Sequence, residues 1–270
     1  MAGLWVWAAD EVDPRFSLMG EADAAIARGD WSTAESRLVE ALDAKPNDPS
    51  NYLLMSNLGM VRFNKGEDSL ALATLDRAAE IAPRSVTVLS NRAQVRSALG
   101  DFEGAGRDYR LVMSIDSTLV SPRFYLGVMA LATGDTIAAR EHATAISRLA
   151  PDSFEDAFLQ ARLLTEQGEH RLALPHYTAL IKLDEQPEYY AARALCYLHL
   201  EELNEASADI AAGLALDPYN GDLYLYRAML NKMRFRPDDA LLDARRAVTL
   251  GIDPRLVESL LGFTDIKPLK

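Results

Sequence analysis

Nucleophilic or metal chemistry in this sequence would have to come from four histidines and one cysteine. None of the histidines lies in an HExxH or similar spacing that brings two imidazoles to one metal ion. Cys196 has no histidine placed beside it by a recognised motif, so we expect a packed free thiol rather than a nucleophile. The glycines of GDFEGAG at 100–106 are not followed by the Lys-Ser/Thr of a phosphate-binding loop. The sequence therefore predicts that the protein is not an enzyme and has no metal site or cofactor.

The charge balance limits the classes of partner. In 270 residues there are 28 Lys and Arg against 40 Asp and Glu, a formal net charge of −12. Nucleic acids and anionic membranes attract clustered basic residues, so neither is expected as the main partner. The apolar runs also fall far short of the roughly 20 residues that a membrane span needs. We therefore expect no nucleic-acid binding and no membrane insertion.

An internal repeat organises most of the chain. A glycine followed by an acidic residue recurs in GDW at 29–31, GED at 66–68, GDF at 100–102, GDT at 134–136 and GEH at 168–170, with glycine spacings of 37, 34, 34 and 34. Setting this glycine at place 15 of a 34-residue unit predicts seven repeats, in which Glu201 and Phe235 replace the last two glycines. The predicted repeats are 15–48, 52–85, 86–119, 120–153, 154–186, 187–220 and 221–254.

Each repeat has the pattern of two helices around a tight turn. Apolar residues recur every three or four residues in each half, and glycine at the turn allows a positive φ. Place 8 is always Ala or Gly, and place 20 is always Ala, which would let two helix backbones approach closely. The place-20 residues are Ala34, Ala71, Ala105, Ala139, Ala173, Ala206 and Ala240.

This pattern resembles the tetratricopeptide repeat (TPR) family, and the resemblance covers residues 15–254. It implies an all-α fold, a right-handed superhelical solenoid of about seven helix-turn-helix repeats. The amphipathic RLVESLLG at 255–262 is predicted to form a C-terminal capping helix, so that 255–270 would hold the capping helix and a tail. Residues 1–14 would form an N-terminal segment. The overall pattern is similar to bacterial multi-repeat proteins.

Charged pairs support the helical hairpin independently of the family. Places 7 and 23 are equidistant from the turn, so antiparallel helices should bring them opposite each other. The pattern predicts four ion pairs there: Glu21 with Arg37, Arg92 with Asp108, Arg193 with Asp209, and Arg227 with Asp243. These arginines are therefore poor candidates for ligand contacts.

The resemblance also places a binding surface. In TPR arrays the first helix of each repeat lines the concave side, which implies a groove for a peptide or helix of a partner protein. Asn57 and Asn91 match the family's backbone-binding asparagine, and Arg162 could pair with an acidic group on the ligand. The candidate partner-binding residues are Asn57, Met60, Phe63, Asn91, Phe124, Tyr125, Phe158, Arg162, Tyr226 and Met229. Coverage of these side chains by neighbouring helices is the alternative.

The expected function is a non-enzymatic protein-interaction scaffold or adaptor. A self-associating assembly subunit, and hence a homo-oligomer, is one alternative, and a regulatory subunit of a separate enzyme is another. The family's clamp for chaperone tails is not expected, because only Asn57 of its residues is matched.

The first residues of the sequence do not decide between two cellular compartments. MAGLWVWA lacks the basic residues that open a signal peptide, which favours the cytoplasm, with the periplasm as the alternative if a signal peptide was removed. Trp5 and Trp7 could cap the first helix or dock into a groove.

Overall fold

The computed structural model describes residue 13 and residues 15–264 and 266–269, which form fifteen α-helices and no strand. The N-terminal segment with Trp5 and Trp7 lies outside the described residues. The helices are α1 Arg15–Ala27, α2 Trp31–Ala44, α3 Asn51–Asn64, α4 Asp68–Ile81, α5 Val86–Ala98, α6 Phe102–Ile115, α7 Val120–Ala132, α8 Thr136–Leu149, α9 Phe154–Glu166, α10 His170–Leu183, α11 Pro187–His199, α12 Leu203–Leu216, α13 Gly221–Met233, α14 Pro237–Thr249 and α15 Pro254–Leu261. No helix among them is long and apolar enough to cross a membrane.

The chain divides into two compact units, one ending at Leu126 and the other beginning at Gly127. In the first unit, α1 to α6 pack in chain order, and α3 also packs on α5. In the second unit, α8 to α14 pack in chain order, α11 also packs on α13, and α15 packs on α13 and α14. Each helix therefore buries its apolar stripe mainly against its nearest neighbours in sequence, as in a repeat protein.

The expected close helix contacts are present. All seven place-20 alanines are at most 1% exposed. At place 8 of the second repeat, a Cβ added to Gly59 would lie 2.5 Å from Cγ of Leu75, a residue with no exposed surface. A glycine is therefore required there because the leucine of the opposing helix occupies the space.

The turns explain the recurring Gly-Asp pair. The turn glycines have positive φ, for example +69° at Gly29, and the aspartate that follows caps the next helix. Asp30 and Asp101 accept hydrogen bonds from the N–H groups of Thr33 and Gly104 at 3.1 and 2.9 Å. Where glycine is replaced, the backbone keeps the same conformation: φ is 59° at Glu201 and 57° at Phe235.

All four predicted ion pairs form. Glu21 binds Arg37 at 2.9 Å, and each of the other three arginines meets its aspartate at 2.6 Å. In these three pairs the aspartate is buried and the arginine holds it with two hydrogen bonds. They therefore join the two helices of a repeat from within, where a charge-assisted bidentate pair is strong.

The C-terminal residues close the apolar end of the second unit. Val257 and Leu261 of α15 are buried in a cluster with residues of α13 and α14, and Ile266 beyond the helix is buried in the same cluster. The N–H of Ile266 donates to Oε1 of Glu258 at 3.0 Å, and that of Leu269 donates to Oγ1 of Thr249 at 2.8 Å. Part of the expected tail is thus packed on the capping helix.

Candidate functional site

The two candidate asparagines of the first unit are in different surroundings. Asn57 is exposed on α3. Asn91 on α5 is half-buried, and its Nδ2 donates to Oγ of the buried Ser56 at 2.9 Å. Asn57 therefore has its amide turned to solvent, whereas one Asn91 donor already joins α5 to α3.

The apolar candidates of α3 contribute to the core. Met60 and Phe63 are half-buried and pack against a cluster of Ala71, Leu75 and Val95 from α4 and α5. Only part of each side chain is therefore open to a ligand. Neighbouring helices thus cover Met60 and Phe63 in part, which was the alternative to a role in binding.

The aromatic candidates of α7 form a small stack. Tyr125 is 36% exposed and lies parallel to Tyr109 of α6, with ring centroids 5.0 Å apart and 10° between the planes. Phe124 contacts Tyr125 edge-on at 5.5 Å. Tyr109 is buried, and burial raises the pKa of its hydroxyl. Tyr125 thus presents one ring face outward from a rigid support.

In the second unit, Phe158 and Arg162 of α9 line a cavity of about 320 Å³. Its other walls come from α10, α11 and the turn between them. The further lining residues are Tyr177, Leu180, Gln186, Glu188, Tyr189 and Ala192. We call this the apolar cavity, because aromatic and aliphatic side chains form most of its wall.

A second cavity, of about 350 Å³, adjoins the first and shares Arg162, Tyr177, Glu188 and Ala192 with it. Its additional residues come from α9, α11 and α13 and the residue before α13. They are Thr165, Glu166, Ala191, Leu195, Asn220, Asp222 and Tyr226. We call it the acidic cavity, since Glu166, Glu188 and Asp222 outnumber its one cation, Arg162.

Tyr177 and Thr165 belong to a buried polar chain beside both cavities. Oγ1 of Thr165 donates to the backbone oxygen of Ala161 at 2.8 Å and lies 3.1 Å from the Tyr177 hydroxyl, which therefore donates to it. Sγ of Cys196 is 3.7 Å from the same Oγ1. Cys196 is a buried free thiol, and burial raises the pKa of that thiol.

The remaining candidates lie on α13. Tyr226 lines the acidic cavity, and burial raises its pKa to about 12, so the phenol is protonated at neutral pH. Met229, one turn on, is half-buried and packs against core clusters of the second unit. Met229 lines neither cavity.

Sequence reasoning missed the contribution of α10 and α11. None of the candidate residues lies on these two helices, whereas Tyr177 of α10 and Glu188, Tyr189 and Ala192 of α11 line the apolar cavity. Tyr177 and Tyr189 belong to successive repeats, so no local sequence pattern indicates that they line one cavity. The aromatic content of both helices was the one available signal.

Comparison with known proteins identifies the repeat. Residues 19–86 and 158–221 match the family model described as tetratricopeptide repeat. This chain belongs to the tetratricopeptide repeat family. The predicted all-α helical-repeat fold is confirmed. Proteins with the TPR fold commonly act as scaffolds for protein–protein interaction.

Three TPR proteins are similar to this chain, with different sequence identities and different coverage. The TPR repeat-containing thioredoxin TTL4 of Arabidopsis thaliana is 26% identical over 215 residues, which are 71% of this chain and 31% of that protein. A TPR protein structure from Parabacteroides merdae matches with a TM-score of 0.69 at 23% identity, covering 92% of this chain and 97% of that one. YrrB, described as a TPR protein with an unusual peptide-binding site, matches with a TM-score of 0.55 at 18% identity, covering 70% and 98%.

The curated relatives and the solved structures support different conclusions about this chain. The matches cover between 20% and 31% of the length of the curated relatives. At identities below 25%, the two solved structures show the fold alone.

Proposed function

We propose that this TPR protein is a non-enzymatic scaffold or adaptor that binds a peptide or helix of a partner protein along its first helices. The observation that carries the proposal is the pair of adjoining cavities lined by α9, α10, α11 and α13. Binding pockets are typically concave and mostly apolar, with a few polar groups that fix orientation. Phe158, Tyr177 and Tyr189 supply the apolar surface, and Arg162 with its carboxylate neighbours supplies the polar groups.

Two features support the proposal further. Aromatic residues and arginine are the side chains that most often dominate binding energy at interfaces. The exposed face of Tyr125 in the first unit offers a comparable aromatic contact, and Asn57 offers a free amide for a peptide backbone. YrrB is described as binding a peptide, which is consistent with this use of the fold.

The test is loss of binding in a folded variant. A partner is captured from the native source, and its affinity is measured by titration for the parent and for Phe124→Ala combined with Phe158→Ala. We expect at least tenfold weaker binding, about 1.4 kcal/mol. Because Phe158 also packs against the core cluster around Tyr177, a circular-dichroism melt must show that the double variant folds.

Leu172→Ala is the matched control, because Leu172 is an apolar residue on α10 that is 57% exposed and lines neither cavity. Full binding by the folded double variant would contradict the proposal. It would direct attention to self-association, which light scattering over a range of concentrations would detect.

A further inference from the structure

The acidic cavity of the second unit carries a negative charge, although the cation Arg162 lines it. Glu166, Glu188 and Asp222 line the acidic cavity together with this arginine. Arg162 and Glu166 are exposed residues of α9, while Glu188 and Asp222 lie in the first turns of α11 and α13. Three carboxylates and one guanidinium therefore line the same cavity.

These carboxylates are not used for structural ion pairs. Among the residues that the structure describes, no salt bridge is formed by Glu166, Glu188 or Asp222, in contrast to the aspartates held by Arg193 and Arg227. A ligand that brings an anion would meet a surplus of negative charge here, whereas a cation would complement it. The net charge of −12 adds long-range attraction for a basic partner.

The apolar cavity defines the other half of the ligand. Phe158, Tyr189 and Ala192 are half-buried at this cavity, and Leu180 and Tyr177, which are 0% and 2% exposed, form its buried wall. A volume of about 320 Å³ accommodates an aromatic or large aliphatic side chain. The two cavities share four residues, so groups bound in them would be close neighbours on one ligand.

We propose that the apolar cavity and the acidic cavity of the second unit together bind one segment of a partner protein. This segment carries an aromatic or large aliphatic anchor beside a lysine or arginine. The anchor fills the apolar cavity, and the basic side chain lies in the acidic cavity against Glu188 and Asp222. Aromatic walls also suit the aliphatic stem and cationic head of such a side chain. This inference rests on the proposed function and specifies the chemistry of its ligand.

The probes are labelled twelve-residue peptides with a Gly/Ser background, acetylated and amidated at their ends. One set has Phe followed two residues later by Arg, a spacing that puts both side chains on one side of an extended chain. The matched sets replace Arg by Gln or by Glu, or replace Phe by Ala. Binding is measured by fluorescence anisotropy at low and at physiological salt.

We expect the Phe/Arg peptide to bind about tenfold more tightly than Phe/Gln, with Phe/Glu the weakest. Adding salt should weaken Phe/Arg more than Phe/Gln, because only the former relies on charge. In the variant Glu188→Gln with Asp222→Asn, the preference for Arg over Gln should fall at least fivefold, while Phe/Gln binding stays as it was. Replacing Phe by Ala should weaken binding to every variant.

The control is Glu205→Gln with Asp238→Asn, which removes the same charge from α12 and α14, two helices that line neither cavity. It should keep the Arg preference. Equal binding of all three Phe peptides would overturn the inference and leave the proposed function standing. Preferential binding of Phe/Glu, lost in Arg162→Gln, would also overturn it, in favour of an acidic partner.

Absence of binding by every peptide overturns the inference as well. The proposed function fails separately, when the Phe124→Ala and Phe158→Ala variant still captures the native partner at full affinity. The two results are thus distinguishable.

Discussion

Arg193 holds Asp209 through two parallel hydrogen bonds, from Nε to Oδ2 at 2.8 Å and from Nη2 to Oδ1 at 2.6 Å. The third arm of the same guanidinium, Nη1, donates to Oγ1 of Thr178 at 2.8 Å. A single side chain on α11 therefore joins α10 of the preceding repeat to α12 of its own. Arg92 does the same with Asp108 and Asp76 in the first unit.

Reversing the charge of Arg193 should destabilise the protein strongly. Arg193→Asp leaves the buried Asp209 without its partner and places a second carboxylate beside it, which we expect to cost about 3–5 kcal/mol. Adding Asp209→Arg should recover part of this loss, since Glu21 and Arg37 already use the reversed order. A double-mutant cycle in urea unfolding measures the coupling.

The exposed pair of Arg171 and Glu202, with side chains 65% and 30% exposed, is the control for this cycle. Its coupling should stay below about 1 kcal/mol. Strict additivity at Arg193 and Asp209 would show that the two side chains do not interact.

Two glycine-to-alanine substitutions should act in opposite directions. A Cβ at position 59 would lie 2.5 Å from Cγ of Leu75, so Gly59→Ala should overpack the contact and cost about 1–3 kcal/mol. A Cβ at Gly20, within α1, meets no atom within 4 Å. Gly20→Ala should therefore raise the unfolding free energy by about 0.5–1 kcal/mol through helix propensity. Thermal melts of both variants that shift in the same direction would contradict the packing assignment.

Phe235 combines a positive φ of 57° with a side chain that is 93% exposed. Its ring gains no burial to offset the steric cost of a left-handed backbone, which is about 1–2 kcal/mol for a residue with a Cβ. Phe235→Gly should therefore be about 1 kcal/mol more stable than Phe235→Ala, which keeps the Cβ. Urea unfolding of the two variants gives the difference directly. Equal stability would mean that the turn relaxes when the ring is removed.

Two stacked histidines should make stability depend on pH. The rings of His170 and His199 lie 4.2 Å apart and are nearly parallel, and burial together with the His199 charge lowers the pKa of His170. A lowered folded-state pKa means that the unfolded chain binds the proton more readily. The stabilising contribution is thus fully present above the unfolded pKa of about 6.5 and is lost as the pH falls below it.

The measurement is urea unfolding between about pH 5.5 and 8 for the parent and for His170→Phe, which keeps an aromatic ring in the stack. The variant should lose the part of the acid dependence that arises from His170. An unchanged dependence would show that the stack does not control it.

The candidate site shows where sequence reasoning reaches its limit. Arg162 and Phe158 line the same cavity, as residues four apart on one helix face can. Asn91 stays a candidate for the ligand backbone, but one of its amide donors binds Oγ of Ser56 on the neighbouring first helix at 2.9 Å. The partner lies 35 residues away, so no local pattern indicates it.

The sequence by itself determined the helical pairs, their turns and the ion pairs within them. Small residues at places 8 and 20 and glycine at place 15 report local backbone requirements, and places 7 and 23 are related by symmetry about a turn inside one repeat. Such short-range constraints make the same residue types recur at the same places of each repeat, so they can be recognised in the sequence.

Only the tertiary structure decided which side chains of that framework remain open. Tyr177 and Tyr189 line one cavity with Phe158, and Glu188 and Asp222 line the other with Arg162, because side chains of α9, α10, α11 and α13 come together there. How far each side chain is covered depends on the size and conformation of residues one or two repeats away. Those contacts follow from packing between repeats, which a 34-residue period does not encode.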